Sequence, residues 1–336
     1  MSETDLPIAN EVLHHGMLGA LVADAVSMPV HWYYDTRALD QDYGELRGYV
    51  APKNPHSGSI LWRSKYKARN PRGDILHDQV QYWGVRGIHY HQFLKAGENT
   101  INYQLGHELY RSTVSEGRYD PETWLDCYVR CMLEPGWHRD TYVEEYHRAF
   151  FDKYARGMRP IDCGIDDLHI GGLSHVPCLL AALERIGITD PQAQRNSVKA
   201  HVQLTHRSRY IVEAAEGLTL MLQDIKNGSA LRTAIAQHGA LWVRRGQFET
   251  WSAFEDRSVV GRHLSPACYL PESFTASLYL AWKYADDFGS GVLANARCGG
   301  DNCHRGAVVG SLLAAANGIP QHWLDGLLAR EPLANI

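Results

Sequence analysis

From about Glu11 onward, apolar residues return every three to four positions, and alternating β-branched runs are few. That period matches the α-helical turn and cannot keep one face of a strand apolar, so the chain reads as all-α. In Ile101 to Val114, Ile101, Leu105 and Leu109 recur at spacing four, while Gln104, His107, Glu108 and Arg111 supply polar positions. In Arg209 to Lys226, Ile211, Ala214, Ala215, Leu218 and Leu222 form one stripe that stops at Asn227-Gly228. The same pattern, with Pro or Gly at the junctions, predicts helices over Val12 to Val26, Pro121 to Leu133, Asp140 to Ala155 and Val176 to Ile186. It predicts further helices over Ala230 to Arg244, Phe274 to Tyr284, Phe288 to Ala296 and Asn302 to Ala316.

One segment breaks the period. From Tyr43 to His91 the chain carries Pro52, Pro55, Pro71 and five glycines between Gly48 and Gly87, and fits neither a helix nor a strand. A long irregular excursion over 43–91 is expected, either a lid or rim over a site or a surface insertion. No internal repeat, low-complexity tract or linker divides the chain, so one domain over 1–336 is expected.

Composition narrows the function. With 33 Lys and Arg against 38 Asp and Glu, the net charge of −5 gives no basic field for nucleic acid. No apolar run approaches the ~18 residues of a membrane span, and the opening MSETDLPIAN lacks the pattern of a signal peptide. A cytoplasmic protein with no nucleic-acid or membrane partner is expected. The seven cysteines are scattered and include no Cys-x-x-Cys pair, so most should be reduced and buried.

The strongest local signal is Cys298-Gly299-Gly300-Asp301-Asn302-Cys303-His304-Arg305-Gly306, followed by an apolar helix. Two glycines permit a sharp bend, and Asp301 stands where an N-cap would sit. The first turn then holds Asn302, Cys303 and His304, where the helix dipole favours a thiolate and disfavours an imidazolium. Asp301 and His304, three apart, can meet on one face, whereas adjacent Cys303 and His304 diverge. Arg305 suits a phosphate or a carboxylate. A second helix start, Gly97-Glu98-Asn99-Thr100, has the same form, with Asn99 or Thr100 as its cap.

Together with the chain's two ends, these pieces resemble the ADP-ribosylglycohydrolase family, which includes dinitrogenase reductase-activating glycohydrolases and jellyfish J1 crystallins. Gly16-Met17-Leu18-Gly19-Ala20-Leu21-Val22-Ala23-Asp24-Ala25 with Pro29 looks like the family's opening, with Ala23 and Ser27 in place of glycines and His31 in place of an acid. Leu204-Thr205-His206 is similar to its Thr-His helix start, and Asn295 to Gly318 looks like its closing Gly-Gly-Asp segment and helix. Asp166-Asp167, His169 and Gly171-Gly172 resemble its central Gly-rich loop. The resemblance implies an all-α, roughly orthogonal multi-helix domain and a hydrolase of N- or O-glycosidic ribosyl bonds. The substrate implied is an ADP-ribosylated or nucleoside-like small molecule.

In the family, two acidic stretches hold two divalent cations beside the ribose. Here the first falls on Gly97-Glu98-Asn99-Thr100 and the second on Gly299-Gly300-Asp301-Asn302-Cys303-His304, so Glu98 and Asp301 are the two carboxylates that remain of four. Magnesium needs hard oxygen ligands, so the altered set leaves one divalent cation on Glu98 and Asp301 (magnesium, manganese, or zinc if Cys303 and His304 assist) or no ion at all. Without an ion, Glu98 and Asp301 are the expected acid and base of glycosidic cleavage, with His304 beside them. Asp24, His31, Asn99, Thr100, Gly171, Gly172, Gly300, Asn302 and Cys303 are the expected substrate-side residues. His206 either caps the helix that follows it, the favoured reading, or reaches the site, and His89, Tyr90 and His91 either rim the pocket or form a solvated loop. A non-catalytic ligand-binding or crystallin-like protein, or a metal-independent hydrolase of another small molecule, are the alternatives.

Overall fold

The computed structural model describes residues 11–58, 62 and 64–329; the opening 1–10 and positions 59–61 and 63 of the excursion lie outside the described residues. The first helices are α1 (Val12–Ser27), α2 (Thr36–Tyr43), α3 (Ile101–Glu116), α4 (Pro121–Leu133) and α5 (Glu145–Ala155). Next come α6 (Val176–Arg185), α7 (Pro191–Gln203), α8 (Arg209–Lys226), α9 (Leu231–His238) and α10 (Gln247–Ser252). The last are α11 (Asp256–Ser258), α12 (Glu272–Lys283), α13 (Phe288–Arg297), α14 (Asn302–Asn317) and α15 (Gln321–Asp325). Among the described residues, β pairing is limited to isolated bridges such as Ile165 with His206.

Helices α1 and α14 are buried around nearly their whole circumference, which suits sequences too uniformly apolar to offer a solvent face. They lie against each other along their lengths, wrapped by α6, α8, α12 and α13. Glycine sets their approach: a Cβ at Gly19 would stand 2.2 Å from the Gly310 carbonyl oxygen, and one at Gly310 would stand 2.1 Å from that of Gly19. This close pairing brings the two ends of the chain together, and the site forms at the end of the pair where α1 finishes and α14 begins.

Most expected helices appear within two residues of their sequence limits. Two are shorter. Asp140 lies outside α5, because its carboxylate accepts the Ile101 amide at 2.6 Å and so caps α3. Helix α9 stops at Gly239 rather than continuing to Arg244. Helix α7 was not expected from apolar spacing, although Asp190 accepts the Ala193 amide at 2.7 Å and Pro191 follows it, a local start signal.

The excursion is irregular, with 3₁₀ turns at Pro71–Gly73 and His77–Tyr82. It is tied into the body: His56 meets the His31 carbonyl at 2.8 Å, His89 meets that of Pro29 at 2.9 Å, and Ile75 and Leu76 are buried. His89, Tyr90 and His91 are therefore interior residues rather than a solvated loop.

Gly310→Ala should lower the unfolding free energy by about 1–3 kcal/mol through overpacking against Gly19. Gly217→Ala, whose added Cβ would meet nothing nearer than 3.6 Å, should leave stability unchanged or slightly raised. Urea unfolding of the two variants checks the contrast.

Candidate functional site

Two left-handed glycines place Asp301. Gly299 and Gly300 have φ of 64° and 62°, and a Cβ at either would fall 2.2 Å from a carbonyl oxygen, that of Tyr33 or Pro266. The bend lets the Trp32 amide donate to the Gly300 carbonyl at 2.8 Å, and the Gly300 amide to that of Tyr33 at 2.7 Å. Trp32 accepts a positive φ of 62° to do so, a strained conformation for a bulky residue. These two hydrogen bonds set His31 against Asp301.

Asp301 is fully buried at the N-terminus of α14, but its side chain caps no amide of that helix. Its Oδ1 is instead 2.8 Å from His31 Nε2 and 2.6 Å from His304 Nδ1, and Oδ2 faces His169 Nε2 at 3.6 Å. His31 continues through Nδ1 to His91 Nε2 at 2.8 Å, and His91 Nδ1 reaches Asp140 at 2.5 Å. On the other side, His304 Nε2 lies 3.5 Å from Glu144 Oε1 and 2.9 Å from Asn102 Nδ2. Asn102 is held in turn by the Tyr146 hydroxyl at 2.5 Å and His147 Nε2 at 2.8 Å. Buried polar atoms joined in this way fix one another's orientation.

The two carboxylates beside His304 are driven in opposite directions. Burial pushes Asp301 up, but the charge and hydrogen bond of His304, with help from His31 and His169, hold it well below the usual carboxylate range. Burial raises Glu144, with the nearby charge of Asp301 adding to the effect and His304 opposing it. Burial alone would lower His304, yet Asp301 and Glu144 bring it up to about 9. The helix dipole was expected to disfavour an imidazolium here, but the Asp301 carboxylate, hydrogen-bonded at 2.6 Å, outweighs its half-charge. The expected thiolate at Cys303 is reversed too, since burial and the charge of Asp24 push that thiol up.

The other sequence-expected residues separate into two groups. His31, Asp301 and His304 share one cluster. Glu98 does not contact it: the carboxylate accepts the Lys95 amide at 2.6 Å and pairs with Arg139 at a half-buried position. Asp24 accepts from the Thr100 amide and hydroxyl at 2.8 Å each and from Asn99 at 2.9 Å, tying α1 to the start of α3. Asn302 donates to the Ala296 carbonyl at 2.9 Å, and the Cys303 thiol points to that of Asp24 at 3.7 Å. Gly171 and Gly172 are buried, and a Cβ on them would meet the Tyr146 hydroxyl at 2.8 Å and the His206 ring at 3.0 Å. Arg305 meets neither phosphate nor carboxylate, because it donates to the Gly299 carbonyl at 2.5 Å and to that of Pro266 at 3.0 Å. His206 packs its ring 4.3 Å from that of Tyr146 rather than capping α8.

Glu144, Asn102, Tyr146 and Asp140 were missed because each joins the network through contacts with residues more than 40 positions away, whereas His91, one of the expected rim residues, is part of it. The partly exposed groups nearest the cluster are Tyr34 and Cys268, which feel the charge of Asp301, and Tyr142, which feels that of Glu144. Trp83 of the excursion stacks on Tyr142 with ring centroids 4.7 Å apart, and Arg148 lies over both rings. The excursion thus contributes a wall at this edge.

A sequence profile of the ADP-ribosylglycohydrolase family matches residues 10–336. The chain belongs to the ADP-ribosylglycohydrolase family. It is 22% identical over 320 residues to crystallin J1A of Tripedalia cystophora, across 92% of this chain and 89% of that protein. A solved structure described as an ADP-ribosylglycohydrolase-related protein complex shares the fold, with a TM-score of 0.59 and 20% identity over 97% of this chain and 95% of that one.

The positions that correspond to the family's metal-binding acids do not fit a pair of magnesium ions. Glu98 is spent on Arg139, Asn99 donates through its amide, and Cys303 is a buried thiol, so no oxygen cage surrounds Asp301. The donors that could take an ion at Asp301 are instead imidazole nitrogens and a thiol: His31 with His304, or His169 with Cys268, offers ligand atoms within 4.8 Å of one another and of Asp301.

Because His304 is raised from 6.5 to about 9 in the folded protein, its protonation stabilises the fold fully below pH 6.5, and this contribution fades as pH rises towards 9. Thermal unfolding should show stability falling across that window in the parent chain, with the fall much reduced in His304→Gln.

Proposed function

We propose that the protein is a hydrolase that cleaves an N- or O-glycosidic ribosyl bond, ADP-ribosyl or nucleoside-like, with Asp301 and Glu144 as its working carboxylates. The observation that carries this reading is the line Asp301–His304–Glu144, in which one buried carboxyl is held ionised and the other is pushed towards its neutral form. Two carboxyl groups with separated proton affinities are what glycosidic cleavage needs. The neutral Glu144 carboxyl gives its proton to the leaving oxygen or nitrogen as the bond to the anomeric carbon breaks. The Asp301 carboxylate takes a proton from the water that attacks that carbon, and the charged His304 between them stabilises Asp301 throughout.

Glu98, paired with Arg139, serves in this reading as an anchor ahead of the Asn99-Thr100 segment rather than as the second carboxylate. Substrate approaches past Cys268 and the rings of Tyr34 and Tyr142, which suit the apolar faces of a sugar or base. The substrate in this reading is a small molecule or the ADP-ribosyl group of a larger one. The single divalent cation considered above, magnesium, manganese or zinc, is not required by it, since the chemistry is supplied by side chains.

A second reading is favoured by Asn99 and Cys303, which stand in place of acids, and by the likeness to a crystallin. In that reading the protein binds a ribosyl ligand without cleaving it, or serves as a structural protein.

A panel of ADP-ribosylated and nucleoside-like substrates assayed by product release separates the two. We expect turnover of at least one, with kcat reduced ~100-fold or more in Glu144→Gln and in Asp301→Asn but less than ~10-fold in Glu98→Gln. Saturable binding with no turnover would support the second reading. Since Glu144 must carry its proton, kcat should fall on the alkaline side, and chelation of divalent cations should leave kcat unchanged. A loss on chelation that manganese or zinc restores would reinstate the cation.

A further inference from the structure

Cys127 and Cys131 stand one turn apart on the same face of α4, with their Sγ atoms 3.9 Å apart. Glu108, on α3, brings Oε1 to 4.0 Å from Cys127 Sγ, and ligand atoms of all three residues lie within 4.8 Å of one another. A tetrahedral cation bonded to two thiolates at about 2.3 Å separates the sulfurs by about 3.8 Å, close to the spacing present here. The outer contacts are also in place. Arg130 Nη2 lies 3.1 Å from Cys127 Sγ, and Arg111 Nη1 lies 3.5 Å from the second oxygen of Glu108. Arg130 Nη2 also lies 3.8 Å from Glu108 Oε1, so this mostly exposed guanidinium pairs with both donors and turns outward to admit an ion between them.

We propose that Glu108, Cys127 and Cys131 form a binding site for one soft divalent cation of the zinc class, separate from the Asp301 cluster. Two thiolates and a carboxylate bring three negative charges, the cation offsets two, and the neighbouring Arg130 offsets the third. Binding releases both thiol protons to solvent. A small cleft lined by Cys127, Arg130 and Thr123 borders the site on the Cys127 side. An ion here would join α3 to α4, the helix that begins with the Asn102 support of His304 being one of the two. The sequence hides the site because its cysteines are spaced for one helical turn rather than for a Cys-x-x-Cys knuckle.

The test uses the full chain, reduced and stripped of metal by a chelator, then titrated with cadmium while the ultraviolet thiolate-to-cadmium charge-transfer band is followed. The band should saturate at one ion per chain and be displaced by zinc. It should vanish in Cys127→Ser and Cys131→Ser, weaken about tenfold in affinity in Glu108→Gln, and persist in Cys268→Ser. Because Cys131 is buried and its substitution can unfold the helix, circular dichroism of each variant accompanies the titration, and the half-exposed Glu108 supplies a variant that leaves the core intact. The proposal is overturned if the folded parent gives no band, if the band survives in Cys127→Ser, or if it disappears in Cys268→Ser.

Discussion

The buried carboxylate of Asp301 is the interaction on which the rest of the site depends. It sits at the junction of the chain's first and last long helices and accepts from imidazoles that reach it from both sides, His31 and His304. An ionised carboxylate removed from water costs several kcal/mol unless it is paired and hydrogen-bonded, so the surrounding histidines are a condition of its presence rather than an ornament. Each of them is supported from behind, His31 by His91 and Asp140, and His304 by Asn102. Asp140 also receives the first amide of α3, so one carboxylate joins the cap of that helix to the orientation of the site.

The fold positions this network by close backbone approach. Gly19 and Gly310 let α1 and α14 touch, and Gly299 and Gly300 let the loop before α14 pair with the backbone after α1. Because both contacts are made by glycine, the geometry at Asp301 is set by main-chain atoms and not by side chains that could repack. The left-handed Trp32 is the strained residue in this arrangement, and its ring stacks 3.7 Å from that of His31. Strain held next to a reacting group is a common feature of functional sites.

Much of the architecture was legible in the residues, because a three-to-four-residue apolar period is hard to mistake over helices as long as α3 and α8. The resemblance of the chain's ends to the ADP-ribosylglycohydrolases, read from Gly19, Asp24, Asp301 and their neighbours, agrees with the family profile and with the shared fold. The site was only half legible. Asp301 and His304 were visible because a double glycine before an acid and a helix is a local signal, and His31 because it stands where the family has an acid. Glu144 and Asn102 were not, since each depends on contacts across 40 or more residues that no local pattern encodes. Glu98 shows the opposite failure: its motif position suggested a partner for Asp301, but the nearby Arg139 claims its carboxylate. The dipole argument for His304 and Cys303 erred for a related reason, since a helix end contributes half a charge and a buried neighbour contributes a whole one.

The central claim is that chemistry takes place between Asp301 and Glu144, across His304. The most direct measurement is a crystal structure of Glu144→Gln soaked with a ribosyl ligand such as ADP-ribose. The account predicts electron density for the ribose with its anomeric carbon facing Asp301 and residue 144, inside the edge formed by Tyr34, Tyr142 and Cys268. Ribose seated instead against Glu98 and Arg139, with the Asp301 cluster unchanged, would contradict it.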